Sequence, residues 1–171
     1  MPTASVDGFA QARALTKRYH LGNGSIEALR GVDLCVAQGE FVAIVGPSGC
    51  AKSTLLDLLG VLDTPTSGSV RLGGIDIYAL DDDALTVLRR RSIGFVFQIF
   101  HLVPILTALD NVGLPLLIDG QAPTRYERWI HDLIELVGLG ARAAHRPAQL
   151  SGGERQRVAS APAHYWTPSL K

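Results

Sequence analysis

Cysteine is scarce in this sequence, and net charge is absent. The two cysteines, Cys35 and Cys50, are too few for a disulfide framework, and neither stands in a metal-type cluster, so a reducing compartment is expected. Sixteen basic and sixteen acidic side chains cancel. Without a basic surplus there is no electrostatic footprint for nucleic acid, which argues against that class of partner. Long apolar runs are missing too. The nearest, residues 99–118, is broken by His101, Pro104, Asp110, Asn111 and Pro115, and a charge at mid-bilayer is expensive, so no membrane span is predicted. The first ten residues have neither a basic region nor an apolar stretch, so no signal peptide is read there. No internal repeat or low-complexity segment occurs. What is present is a globular balance, 47% hydrophobic and 19% charged over 171 residues, enough for one soluble domain with a real core.

The chain is organised around residues 41–59, FVAIVGPSGCAKSTLLDLL. Residues 41–45 are apolar and β-branched and predict a strand buried on both faces. A turn rich in Gly, Pro and Ser follows, and Lys52-Ser53-Thr54 lead into a helical pattern with Leu55, Leu56, Leu58 and Leu59 as its apolar stripe. Strand, short loop, Lys-Ser, helix is the layout of a P-loop, in which backbone N–H groups and a helix N-terminus converge on one anion. Gly46, Ser48, Gly49, Cys50, Ala51, Lys52, Ser53 and Thr54 are therefore candidate nucleotide-phosphate residues. The amides of residues 48–52 would hold a β-phosphate, Lys52 the β/γ oxygens, and Ser53 a magnesium ion. One position is off pattern: the motif wants Gly before the Lys, and this chain has Ala51.

In chain order, residues 12–19 predict a strand, Gly22-Asn23-Gly24 a turn, and residues 26–36 the antiparallel partner. Residues 63–68 are breakers, and 69–72 and 75–77 short strands around Gly73-Gly74. Asp81-Asp82-Asp83 open a solvated surface helix that closes on Arg89-Arg90-Arg91, each charge suiting its end of the dipole. Residues 93–97 predict a second apolar strand, stopping at Gln98. Residues 107–117 and 124–137 read as helices, the second ending at Gly138. Leu150-Ser151-Gly152-Gly153 then lead into a helix over 154–161. A strand-helix-strand unit over 41–97 argues for a parallel sheet.

Ser-Gly-Gly at the mouth of a helix can cradle an anion, or Ser151 can simply cap the helix with Glu154 three residues on. Together with the P-loop, these residues resemble the ATP-binding subunits of ABC transporters. GPSGCAKST looks like their Walker A motif, LSGGERQRVA like their signature motif, and FVFQIFHLVPILTALDNV is similar to their Q-loop region. ALRGVDL, LLGVLDTPTSGSV and LRRRSIGFVFQ, in that order, resemble the sub-group serving lipoprotein release and macrolide-type export. The resemblance spans about residues 13–160. It implies an α/β fold of P-loop type: a parallel core sheet, an antiparallel β-subdomain with the P-loop core over about 12–98, and a Q-loop and helical subdomain over about 99–163, all within one nucleotide-binding domain. It implies ATP and Mg²⁺ as ligands, with Tyr19 stacking on adenine and Ser53 and Gln98 near the metal. Leu150, Ser151, Gly152 and Gly153 would contact the γ-phosphate held by a second copy, so a complete site needs a homo- or heterodimer. Partners would be membrane permease subunits, reached from the cytoplasmic side as a peripheral subunit on the inner face of the membrane.

Three departures set expectations for this chain. Ala51 puts a Cβ where the loop needs φ > 0 or room for phosphate, which should weaken binding. Pro162 falls where the family helix continues, and a helix-interior proline costs about 3 kcal/mol; His164 nearby reads as a plain exposed residue. Pro168-Ser169-Leu170 stand where the family enters its Walker B strand, whose Asp and catalytic Glu are not in this sequence. An ABC-type ATPase deficient in hydrolysis is the expectation. The alternatives are a non-catalytic partner lending Ser151-Gly152-Gly153 to a full-length subunit, or a fragment, the latter favoured by the missing core strands.

Overall fold

The computed structural model describes residues 8–22 and 24–166. Residues 1–11 are expected as a loose start, but Ala10 and Gln11 already belong to the first strand; residues 1–7, Asn23 at the centre of the predicted turn, and Pro168-Ser169-Leu170 lie outside the described residues, as does the side chain of His164. The chain divides into two compact units, Met1–Arg89 and Arg90–Lys171.

The first unit is built on an antiparallel sheet in the order β2-β1-β3-β4. Strand β1 (Ala10–Leu21) and β2 (Gly24–Val36) form the hairpin that the Gly-Asn-Gly signal predicts. Strand β3 (Ser67–Leu72) pairs with the other edge of β1, and β4 (Ile75–Asp76) closes the sheet through the Gly73-Gly74 turn. Ile77, expected in that last strand, instead begins a short 3₁₀ turn (Ile77–Ala79) and is fully buried. Burial, not pairing, decides its place. Helix α1 (Lys52–Leu59) lies against β1 and β2, and Leu55 and Leu58 join Ala12, Leu15, Leu29, Val70 and Ile77 in the core. Each such large aliphatic side chain stabilises the unit by about 1.5–3 kcal/mol.

Helix α2 (Asp82–Ser92) has no buried residue, as a solvated surface helix should. The Asp81 carboxylate accepts the Ala84 N–H at 2.8 Å, so the acidic start acts through a hydrogen bond as well as through the dipole. Arg89 donates to the Val61 carbonyl, while Arg90 and Arg91 both pair with Asp119, at 3.2 and 3.6 Å. These arginines tether loops; they do more than balance a dipole.

The second unit packs α3 (Ala108–Ile118), α4 (Glu127–Leu136) and α5 (Gly152–Ser160) around Val112, Ile130, Leu133, Ile134, Leu139, Leu150 and Val158. Thr107 caps α3 through a reciprocal box with Asp110, and Gly138, at φ 71°, turns the chain after α4. Helix α5 stops at Ser160 and the chain continues as a 3₁₀ turn (Ala161–Trp166), the outcome Pro162 dictates.

Residues 41–45 and 93–97 depart from expectation. Both were read as buried strands of a parallel sheet, yet neither pairs with any strand among the described residues, and Phe41 and Val45 are 94% and 89% exposed. A strand is held by ladder partners for its N–H and C=O groups. Neither segment has such a partner here, so its extended propensity goes unused. Residues 93–97 are packed in another way: a Cβ on Gly94 would come within 2.9 Å of the Ala163 carbonyl.

Candidate functional site

The loop over residues 46–54 is exposed at residues 46–50 and ends in α1. It turns tightly, with the Cys50 N–H donating to the Pro47 carbonyl and Gly49 at φ 80°. Gly46 lies under the Cys50 side chain, and a Cβ there would come within 2.8 Å of its sulfur, which would have to turn aside. Ala51 is the N-cap of α1 at φ 63°, ψ 26°, in the left-handed region, with no side-chain cap. The requirement at this position is therefore conformational, at about 1–2 kcal/mol for an L-residue. The first helical bond runs from the Leu55 N–H to the Ala51 carbonyl, so the N–H groups of Lys52, Ser53 and Thr54 are end donors without an intrahelical partner. Lys52 curls back over this loop: its Nζ donates to the carbonyls of Gly46 (2.9 Å) and Pro47 (2.8 Å) and lies 3.6 Å from the Cys50 sulfur. Helix-end N–H donors and a lysine ammonium carried on the same loop are the chemistry a polyphosphate calls for.

Tyr19 is part of the same unit, near the end of β1 and 37% exposed. Its hydroxyl donates to Asp63 Oδ2 at 3.0 Å. Burial pushes the Asp63 carboxyl up, but bonds from Lys17, the Thr64 N–H and the Tyr19 hydroxyl outweigh it and hold the group below the usual carboxylate range. Tyr78, close by, is pushed up to about 12 by burial and by the Asp63 charge.

In the second unit Gln98 is exposed, and its segment is held from both sides. The Gln156 side chain donates to the Phe97 carbonyl at 3.1 Å, and the Arg155 guanidinium sits over the Phe100 ring at 5.4 Å. Asn111, 6% exposed, accepts from the Val103 N–H and donates to the carbonyls of Val103, Leu106 and Thr107. These three side chains escaped the sequence reading, although one amide inside the apolar run ALDNVGLPLL was a visible signal for Asn111.

Leu150 is buried and anchors the turn; Ser151, Gly152 and Gly153 are exposed at the mouth of α5. Both halves of the expected capping box form: Ser151 Oγ accepts the Glu154 N–H at 3.3 Å and Glu154 accepts the Ser151 N–H at 2.7 Å. The bonds from the Ser151 backbone and side chain, with the Arg142 guanidinium 3.1 Å away, keep the Glu154 carboxyl below its ordinary range. Ser53 is exposed at the start of α1, and among the described residues no group of three or more His, Cys, Asp or Glu could hold a metal. A hydroxyl alone fits Mg²⁺ only where phosphate oxygens and water complete the shell. A cavity of about 970 Å³ opens elsewhere, lined by Gln11, Arg13, Asp33, Cys35 and Arg71, and shares no residue with the loop.

The chain is 51% identical over 156 residues to the lipoprotein-releasing system ATP-binding protein LolD of Geobacter metallireducens, covering 91% of this chain and 69% of that protein. It is 49% identical over 160 residues to the LolD protein of Alcanivorax borkumensis, covering 94% and 70%. The fold matches the ATP-binding cassette MJ0796, solved as a dimer in a post-hydrolysis state bound to ADP and Pi, with a TM-score of 0.83 at 45% identity over 90% of this chain and 68% of that one. The chain thus spans about two thirds of the length of these relatives. No helix among the described residues is long and apolar enough to cross a membrane. Residues 29–170, a stretch that takes in both the loop over 46–54 and the Ser-Gly-Gly turn, match the ABC transporter family, and to that family the chain belongs.

Proposed function

We propose that this chain is the ATP-binding, energy-coupling subunit of an ABC transporter, seated on the cytoplasmic face of the membrane beneath permease partners. The observation that carries the reading is the loop over residues 46–54, which runs into the end donors of α1 and holds the Lys52 ammonium against its own Gly46 and Pro47 carbonyls. The ATP triphosphate takes the N–H groups of the loop, Lys52 exchanges its two carbonyls for phosphate oxygens, Ser53 offers its hydroxyl to Mg²⁺, and Tyr19 stacks on the base. Bound Mg²⁺ would neutralise phosphate charge. Leu150, Ser151, Gly152 and Gly153 serve the nucleotide of a second copy, as support for which both structures of MJ0796 are described as dimeric. The exposed apolar side chains Val96, Ile99 and Ile105 on either side of Gln98 are the kind of surface a membrane partner covers. Residues 12–98 and 99–163 act as the core and helical halves of this one domain.

Titration with ATP and Mg²⁺ tests the reading. The wild-type chain should bind ATP and Lys52→Ala should lose about 10- to 100-fold, the value of a charge-assisted hydrogen bond. Equal affinity in the two would overturn the site.

A further inference from the structure

Tyr19 does not stand free as a stacking surface; it is braced from two directions. Its hydroxyl donates to Asp63 Oδ2, and the Lys17 ammonium lies 4.9 Å from the centre of its ring. Lys17 is itself fixed. Its Nζ donates to Asp63 Oδ1 at 2.6 Å and to the Thr64 carbonyl at 2.7 Å, and its side chain is only 12% exposed. The Thr64 N–H in turn donates to Asp63 Oδ1 at 2.7 Å. One carboxylate thus holds the ring at its edge and holds the cation that occupies one of its faces.

The brace reaches the phosphate cradle as well. Tyr78 Oη lies 2.7 Å from the Leu58 carbonyl and 2.8 Å from the Asp63 carbonyl, so the backbone carrying the brace is tied to the last turn of α1. The opposite end of that helix forms the cradle. The ring and the phosphate-binding helix share one support.

We infer that Lys17 and Asp63 are positioning residues that preset Tyr19 as a one-sided platform, so that a nucleotide base stacks on the ring face opposite Lys17. An exposed tyrosine left to itself samples several rotamers, and a ligand that stacks on it must first stop that motion; a ring already held spares the ligand this ordering cost. The cation already over one face leaves the other for the base. The inference rests on the proposed ATP site and goes further, since it assigns the geometry of base binding to two residues that touch neither base nor phosphate.

The test separates base from phosphate. Affinities for ATP and for inorganic tripolyphosphate, both with Mg²⁺, are measured on the 171-residue chain and on Asp63→Asn, Tyr19→Phe and Tyr19→Ala. The ratio of the two affinities reports the base contribution alone. Tyr19→Ala should lower the ratio most. Asp63→Asn, which weakens the brace, should lower it about 3- to 10-fold with tripolyphosphate affinity unchanged, the range for ordering one side chain. Tyr19→Phe removes only the hydroxyl contact and should move the ratio in the same direction, which keeps the test decisive if Asp63→Asn fails to fold. A ratio unchanged in Tyr19→Phe, or both affinities falling together in Asp63→Asn, overturns the inference and leaves the ATP site standing. A wild-type chain that binds neither ligand overturns both.

Discussion

Ala51 offers the sharpest test of the link between local backbone and function. It holds φ 63° as the N-cap of α1, in a conformation that costs an L-residue about 1–2 kcal/mol and glycine nothing. Ala51→Gly removes that strain but adds about 0.4–1 kcal/mol of unfolded-state freedom. The expected net gain is about 0.5–1 kcal/mol, which at about 2–4 °C per kcal/mol for a chain of this size raises Tm by about 1–4 °C. Affinity should rise by no more than about 2- to 5-fold, the same energy expressed as binding, and only to the extent that the alanine loop leaves the left-handed region. A series makes the cause visible. Asn tolerates positive φ and should fall between Gly and Ala, whereas β-branched Val should be worse than Ala. Thermal melts followed by circular dichroism, paired with nucleotide titrations, read both quantities. An Ala51→Gly chain that melts lower, or a Val chain equal to the alanine one, would refute the strain argument.

Two further outcomes follow from buried and charged groups. Asn111→Ala should cost about 2–4 kcal/mol, because it strands the Val103 N–H and the Leu106 carbonyl at a site 6% exposed, and Tm should drop by roughly 5–15 °C; a shift within a degree or two would show that water replaces the amide. Asp63 has a folded-state pKa lowered by Lys17, Thr64 and Tyr19 against the opposing effect of burial. Its stabilisation is therefore complete above the ordinary carboxylate value of about 3.9 and is lost as pH falls through the lowered folded value. The gap in Tm between wild type and Asp63→Asn should be open at pH 7 and close in acid, and a gap independent of pH would contradict the ion pair's role.

What the sequence made legible was mostly local. Gly22 and Gly24 announced the β1–β2 hairpin, Ser151 with Glu154 announced the capping box of α5, and Pro162 announced its end, because each of these is settled within four or five residues. The loop over 46–54 was legible for the same reason. Residues 41–45 and 93–97 were misread because periodicity reports a taste for extended structure, while a strand also needs a neighbour that no local pattern can supply. The support of Tyr19 was invisible on similar grounds: Lys17 and Asp63 lie 46 residues apart and meet only through the fold. Asn111 fell between the two cases, its oddity plain and its purpose hidden until the turn over residues 103–107 closed around it.

The box at Ser151 has a consequence for how its hydroxyl is spent. The oxygen accepts the Glu154 N–H, and the hydroxyl hydrogen goes to the Glu154 carboxylate, which also takes the Ser151 N–H. Both halves of the group are engaged within the cap. An anion that approached the mouth of α5 would therefore have to draw that hydrogen away from a carboxylate already holding it.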